Sequence, residues 1–202
     1  MPTIAIINYG VGNLRSVKRG LEQSDATVTI TDKVSDIIRS DAMVLPGVGA
    51  FKGALRTLTK LSKPILKQAD AGKPILGICL GYQILFTRSH EGGIRRGLDL
   101  LQGEVVKLSG NVKLPHIGWN TVSIARADEL VDGVKDGSYM YFVHSYSPKP
   151  SEKKIIVAYT NYGETFPSIV SQGNVFATQF HPEKSGTSGL RILENFVGIT
   201  KR

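Results

Sequence analysis

The chain has 202 residues, of which 41% are hydrophobic and 21% charged, with 22 glycines and 9 prolines. This length suits one globular domain with a single buried core, and the composition excludes collagen-like, low-complexity and disordered proteins. Lysine and arginine outnumber aspartate and glutamate by 25 to 17, but the basic pairs are scattered and no recognition motif accompanies them. We therefore expect no nucleic-acid partner.

Predicted strands and helices alternate through the first half of the chain. Apolar or β-branched runs at 4–7, 27–31, 42–45 and 74–78 predict strands, and leucines at helical spacing after them predict helices, one of them broken near Pro64. Shorter strand-like runs with close turns follow, at 104–108, 112–114, 121–124, 139–144, 155–159, 168–171 and 175–180.

The predicted order of elements indicates an α/β fold. Successive β-α units are joined by right-handed crossovers, which gives a doubly wound, mostly parallel sheet with helices on both faces. The later short strands add antiparallel pairs, residues 148–154 are expected to form a surface loop, and a last helix covers about 189–197. We expect a single domain over residues 1–202.

The location and the metal content follow from what the sequence lacks. No apolar run approaches the roughly 18–20 residues of a membrane-spanning helix, and the N-terminus lacks the basic flank of a signal peptide. The single cysteine, Cys79, can form neither an internal disulfide nor a multi-cysteine zinc site. We expect a cytoplasmic protein with no membrane contact, metal or cofactor.

Cys79 has the sequence context of a nucleophile. It lies between a predicted strand and a predicted helix, with Gly77 and Gly81 two residues away on either side, as in a nucleophile elbow with cysteine in place of serine. The helix N-terminus would favour the thiolate. A lone cysteine is more often a buried, inert residue, but the flanking glycines and the strand-to-helix switch favour the nucleophile here.

A base and a carboxylate follow another predicted strand. Of the four histidines, His181 comes directly after the run at 175–180, and Pro182 biases it toward an extended backbone. Residues 181 and 183 then point to the same side, so that Glu183 can accept a hydrogen bond from one imidazole nitrogen and direct the other at the sulfur. Cys79, His181 and Glu183 are therefore the predicted catalytic triad.

Acyl transfer through a thioester also needs donors for the oxyanion. The amide of Leu80 is the first candidate, and the glycine loop after the third strand offers Val48 and Gly49. The alternative, a phosphate-binding loop, lacks the lysine and Ser/Thr of a P-loop. Because glycine permits either peptide orientation, this loop can present either an N–H or a carbonyl to the site.

With these residues the chain resembles class I glutamine amidotransferases, which implies a flavodoxin-like fold. The residues shared across that family are 77–81 with Gln83, and 181–183. Further segments resemble its branch of glutaminase subunits of imidazole glycerol phosphate synthase, at 9–14, 46–49, 115–120, 141–146 and 181–186. Asn8 and Tyr82 depart from this branch, which often has aspartate and methionine there.

The resemblance implies hydrolysis of glutamine through a Cys79 thioester. Gln83, Glu91 and the backbone near Ser145 and Tyr146 would bind the glutamine. The ammonia would pass to a separate (β/α)₈-barrel cyclase subunit that makes imidazole glycerol phosphate and an aminoimidazole carboxamide ribotide. The implied interface residues are Asn13, His116, Trp119, Asn120, Tyr141 and Lys184.

Two enzymatic alternatives remain open from the sequence. Another branch of the amidotransferases would share the triad but not residues 115–120, and a free-standing cysteine hydrolase of γ-glutamyl bonds would work alone. A non-enzymatic α/β scaffold conflicts with finding the elbow and the His-Pro-Glu motif together.

Overall fold

A computed structural model describes residues 1–10, 12–47, 49 and 51–201, apart from the side chains of residues 52 and 57. The strands are β1 (Thr3–Ile7), β2 (Thr27–Thr31), β3 (Ala42–Leu45), β4 (Ile75–Ile78), β5 (Phe86–Ser89), β6 (Arg95–Arg96), β7 (Leu101–Lys107), β8 (His116–Ile124), β9 (Ser138–His144), β10 (Tyr146–Pro150), β11 (Ile156–Tyr162), β12 (Glu164–Gln172) and β13 (Val175–Thr178). The helices are α1 (Leu14–Glu22), α2 (Val34–Arg39), α3 (Phe51–Asp70), α4 (Leu80–Ile84) and α5 (Gly186–Ile199). Short 3₁₀ helices cover Glu129–Val131, Lys153–Ile155 and Pro182–Lys184.

The main sheet combines a parallel half with an antiparallel half. Its nine strands run in the order β2-β1-β3-β4-β13-β12-β11-β8-β9. The pairs from β2 to β13 are parallel and those from β13 to β9 are antiparallel. A second sheet of four strands runs β10-β7-β5-β6. The predicted α/β fold, with antiparallel strands added to a parallel sheet, is confirmed.

The parallel strands β1, β3, β4 and β13 are buried on both faces, which explains their continuous apolar runs, whereas the edge strand β2 alternates. Ile4 and Ile6 of β1 pack in the hydrophobic cluster that contains residues of α1 and α5. Ala5 and Ile7 pack in the other cluster, which contains residues of α3. Alternate side chains of one strand thus serve the two faces. No helix in the described part of the chain is long and apolar enough to cross a membrane.

Helix α3 differs from its prediction, because it continues through Pro64 instead of breaking there. Pro64 cannot donate to the carbonyl of Lys60, and that lost bond is the usual reason for a break. Leu61 and Ile65, on either side of it, are buried in the cluster under α3. Their burial against the sheet stabilises the helix on both sides of Pro64, so that it continues through the proline.

The predictions for the later strands need three corrections. Residues 112–114 form no strand, and the run at 121–124 is only the end of the longer β8. The predicted loop at 148–154 contains part of β10, in which Pro148 pairs with Val105. Since β10 is an edge strand, a proline there removes no ladder hydrogen bond.

The junction between β4 and α4 is built around Cys79, whose backbone has φ +53° and ψ −104°. This left-handed conformation is strained for a residue with a side chain. The other described non-glycine residues with positive φ are Asp25 and Asp99, of a type that tolerates it. The nucleophile elbow predicted from the sequence is therefore present as backbone geometry.

Glycines 77 and 81 are required by close contacts. A Cβ on Gly81 would lie 1.8 Å from the carbonyl oxygen of Leu45, at the end of β3. A Cβ on Gly77 would lie 2.7 Å from Cδ1 of Leu85 and 2.9 Å from the oxygen of Gly81. Helix α4 thus starts directly against the backbone of β3, and no side chain fits between them.

We predict that Gly81→Ala destabilises the protein by more than about 3 kcal/mol, because the obstacle is a backbone carbonyl that cannot turn aside. Gly198→Ala in α5 is the matched control, since nothing lies within 4 Å of a Cβ there. It should change stability by no more than about 1 kcal/mol. Urea unfolding of both variants measures this, and equal stabilities would contradict the packing argument.

Candidate active site

The strand order brings the predicted triad together. Strand β13 pairs with β4 in a register that sets Thr178 opposite Ile78, and the N–H of Cys79 donates to the Thr178 carbonyl at 2.8 Å. Residues just beyond β13 therefore lie beside Cys79. His181 is one of them, and its N–H donates to the carbonyl of Tyr141 at 2.9 Å.

His181 and Glu183 form a buried pair in which each side chain is 1% exposed. Nδ1 of His181 lies 2.8 Å from Oε1 of Glu183, so Nδ1 donates and carries the proton. Nε2 is buried and has no oxygen or nitrogen partner among the described residues. That nitrogen is left to interact with the sulfur of Cys79.

The surroundings keep the His181 imidazole charged. Burial lowers the pKa of His181, but the negative charge of Cys79, followed by the hydrogen bond and charge of Glu183, more than offsets it. The pKa of His181 rises to about 10 as a result. The ring can therefore stabilise a thiolate and later supply a proton.

Gln179 also faces the sulfur, although the sequence motifs did not indicate it. Its Nε2 donates to Sγ of Cys79 at 3.8 Å, and its Oε1 accepts from Nε2 of Gln83 at 3.3 Å. The alternation that pairs residues 181 and 183 also points residue 179 to the same side, so the signal was available. The Cys79 thiol is also 3.5 Å from the carbonyl of Val143.

A cavity of about 260 Å³ opens beside Cys79. Its walls come from α4, from Gly49, from Glu91 and Pro115, and from the junction of β9 and β10: Cys79, Leu80, Gln83, Val143, His144, Ser145 and Tyr146. Such a volume is below the roughly 300–1,000 Å³ of pockets for drug-sized ligands and suits a small one. Three larger open grooves, of about 790, 780 and 450 Å³, contain none of the predicted catalytic residues.

Two polar side chains in this cavity are held in place by backbone groups. Gln83 donates through Nε2 to the carbonyl of Tyr146 at 2.8 Å. Oε2 of Glu91 accepts from the N–H of Phe51, at the start of α3, at 3.3 Å. Ser145 and Tyr146 line the same wall. The cavity thus collects all four predicted glutamine contacts.

The predicted oxyanion donors have different surroundings. The N–H of Leu80 points to the carbonyl of Gly47 at a long 3.5 Å. Gly49 has φ +124°, a conformation open to glycine, and lines the cavity. Val48 lies outside the described residues, so its role stays a prediction. The loop is pressed against α4, because a Cβ on Gly47 would lie 2.6 Å from Cβ of Leu80.

The residues predicted for a partner interface lie mainly on β8 and β9. Trp119 is 55% exposed and makes an edge contact with Tyr141, over which Nζ of Lys184 lies 5.8 Å from the ring centre. Asn120 is half-buried, and Asn13 precedes α1. Two further apolar residues of these strands, Ile117 and Tyr139, are exposed but were not predicted from the sequence.

His116 differs from this group, since it is only 3% exposed. Its ring lies between Phe142 and Tyr162, with ring centres 4.9 and 4.0 Å away. In this structure its side chain is thus inside the protein and offers no surface for direct contact with a partner.

A pH-dependent stability follows from the His181–Glu183 pair. The pKa of His181 is raised from 6.5 to about 10 on folding, so its contribution is complete below pH 6.5 and is lost as the pH rises toward 10. Glu183→Gln removes part of this contribution. We predict that the unfolding free energy of the wild type is higher than that of Glu183→Gln, and that this difference is largest near pH 6.5 and smallest near pH 10. Urea unfolding at several pH values measures it. A difference that grows with pH would contradict this.

Gln179 should increase the reactivity of Cys79. We predict that Gln179→Leu slows alkylation of Cys79 by iodoacetamide about threefold to tenfold at neutral pH, because a donor to the negative sulfur is lost. Gln172→Leu, an exposed glutamine at the end of β12, is the matched control and should react like wild type. Equal alkylation rates for the two variants would show that Gln179 has no such role.

Comparison with known proteins places the chain in a family. Residues 5–199 match the model of the class I glutamine amidotransferases. The HisH subunit of imidazole glycerol phosphate synthase from Halobacterium salinarum is 50% identical, over 96% of this chain and 92% of its own, and that from Archaeoglobus fulgidus is 49% identical over 98% and 100%.

Solved structures agree on the fold. A glutamine amidotransferase matches with a TM-score of 0.78 at 17% identity over 98% of this chain and 99% of its own. PurLQS from Thermotoga maritima matches with 0.76 at 21% identity over 98% of both. We conclude that the chain belongs to the class I glutamine amidotransferase family and, within it, to the group of the HisH subunits.

Proposed function

We propose that this chain is the glutaminase subunit of imidazole glycerol phosphate synthase, acting as a single domain in the cytoplasm. The observation that carries the proposal is the buried Cys79–His181–Glu183 cluster at a small cavity with an amide and a carboxylate in its walls. The 50% identity to a HisH subunit over nearly the whole chain supports the choice of synthase.

The first half of the reaction forms a thioester. The Cys79 thiolate attacks the carbonyl carbon of the glutamine side chain, and the resulting oxyanion takes a hydrogen bond from the N–H of Leu80. The carbon–nitrogen bond then breaks while Nε2 of His181 gives its proton to the leaving nitrogen, which departs as ammonia. Glu183 holds the imidazole in the required orientation.

The second half of the reaction releases glutamate. Water attacks the thioester carbon, and the now neutral Nε2 of His181 accepts a proton from that water. The carbon–sulfur bond breaks, which regenerates the thiolate beside the charged imidazole. Gln179 donates to the sulfur whenever it is negative.

The cavity walls fit the head group of glutamine. Glu91 and the amide oxygen of Gln83 can accept from the α-ammonium, because both N–H groups of Gln83 are already donated. The backbone N–H groups at Ser145 and Tyr146 can bind the α-carboxylate. Cys79 lies at the cavity wall, where the side-chain amide would arrive.

The resting oxyanion site supports control by a partner. The Leu80 N–H is directed at the Gly47 carbonyl, so an oxyanion must replace this long contact. A movement of the glycine loop would free the amide and supply a second donor from Val48 or Gly49. Glutamine would then be spared until the partner holds its own substrate.

The exposed strands β8 and β9 fit a docking surface. Aromatic and aliphatic side chains at Ile117, Trp119 and Tyr139 are solvent-exposed, and aromatic residues are frequent anchors of interfaces. We assign this face, with Tyr141 and Lys184 beside it and together with Asn13, to a cyclase subunit that receives the ammonia.

The test is glutamate release from glutamine, measured for the chain alone, with the cyclase subunit, and with the cyclase subunit and its nucleotide substrate. We expect stimulation that needs both partner and substrate. Cys79→Ala should lower the stimulated rate at least about a thousandfold, because the nucleophile is gone. High activity of the chain alone, unchanged by the cyclase, would instead identify a free-standing hydrolase.

A further inference from the structure

Two buried histidines have no part in the proposed chemistry. His116 and His144 are 3% and 6% exposed, and Nδ1 of His116 lies 3.0 Å from Nε2 of His144. Burial lowers the pKa of His116 to about 4 and that of His144 to about 3. Both rings are therefore neutral at physiological pH, and each has one donor and one acceptor nitrogen.

Their hydrogen-bond partners determine the direction of the pair. Nδ1 of His144 lies 2.9 Å from the Tyr146 carbonyl, which can only accept, so this nitrogen donates and Nε2 accepts. Nδ1 of His116 must then donate to His144, and Nε2 of His116 accepts from Nδ2 of Asn120 at 3.3 Å.

Asn120 is the first donor in this series of hydrogen bonds, and its side-chain amide is held in one orientation. Its Oδ1 accepts from the N–H of Thr121 at 2.8 Å, and its Nδ2 also donates to the carbonyl of Asn161 at 2.9 Å. The amide cannot be reversed without losing both contacts. Every donor and acceptor from Asn120 to the Tyr146 carbonyl is thus consistent with one direction.

This series of hydrogen bonds ends at the proposed glutamine pocket. The Tyr146 carbonyl accepts from His144 and also from Nε2 of Gln83, at 2.8 Å. Gln83 in turn contacts Gln179, which donates to Cys79. Two donors hold this one carbonyl, and the backbone that carries it forms a wall of the cavity.

We propose that His116 and His144 are positioning residues for the glutamine pocket, acting through the Tyr146 carbonyl on Gln83 and on the backbone at Ser145. This inference rests on the proposed glutaminase function. It also connects the pocket to β8, where Trp119 points outward between His116 and Asn120, which lie on the opposite face.

The experiment compares two variants that separate hydrogen bonding from packing. His144→Phe keeps an aromatic ring against Phe142 and Phe166, whose ring centres lie 5.7 and 5.0 Å away, but removes the donor. His144→Asn can retain a donor near Nδ1 but loses the ring. Steady-state glutamine hydrolysis is measured in the complex with the cyclase subunit and its nucleotide substrate.

We expect His144→Phe to raise KM for glutamine about fivefold to tenfold with a smaller fall in kcat, since one positioning hydrogen bond is lost. His144→Asn should remain within about threefold of wild type. His116→Phe, which keeps the stacking on Tyr162, should raise KM in the same direction but less. Phe166→Leu, the packing control, should lower the melting temperature and leave KM unchanged.

The opposite ranking would overturn the proposal. If His144→Phe matches wild type while His144→Asn is impaired, the histidines act by packing alone. An unchanged KM in both His144→Phe and His116→Phe would likewise show that the hydrogen bonds of these histidines do not position the pocket. Failure of the glutaminase function itself would be seen differently, as absent glutamine hydrolysis in the wild-type complex.

Discussion

The left-handed backbone of Cys79 is the constraint on which the site depends. It is maintained by the contact of Gly81 with the carbonyl of Leu45 and by the hydrogen bond from Cys79 N–H to Thr178. These contacts involve the backbones of three adjacent strands, so rotation of a side chain cannot relieve them. The sheet order β3-β4-β13 therefore determines where the nucleophile, its base and the glycine loop meet.

The parts of the site that the sequence predicts are those encoded by local spacing. Residues 77–81 describe one tight turn, and residues 181–183 describe one strand end, so each can be interpreted without knowing the rest of the fold. The alternation through residues 181 and 183 gives the side to which Gln179 points, but its approach to Cys79 depends on the register of β13 against β4. The strand order that creates this neighbourhood is set by distant pairings, which the local pattern does not contain.

The distinction between local pattern and distant contacts also explains which predicted helices and strands were wrong. Pro64 and Pro148 are locally unfavourable for a helix and a strand, but burial of α3 and the edge position of β10 decide otherwise. The start of β8 was placed too late, at 121 instead of His116. Alternation along the full strand places residues 116 and 120 on the face opposite Trp119. Because the predicted strand began only at 121, the burial of His116 was not foreseen.

The three buried histidines show how partners assign roles to one residue type. His181 lies beside the sulfur of Cys79 and the carboxylate of Glu183, so the cost of burying its charge is more than offset. His116 and His144 contact an amide, a carbonyl, aromatic rings and each other, and burial leaves them neutral. Only a charged ring can give a proton to departing ammonia, and only a neutral ring can pass a hydrogen bond in a single direction. Proton transfer and substrate positioning are thereby kept on separate residues within one small site.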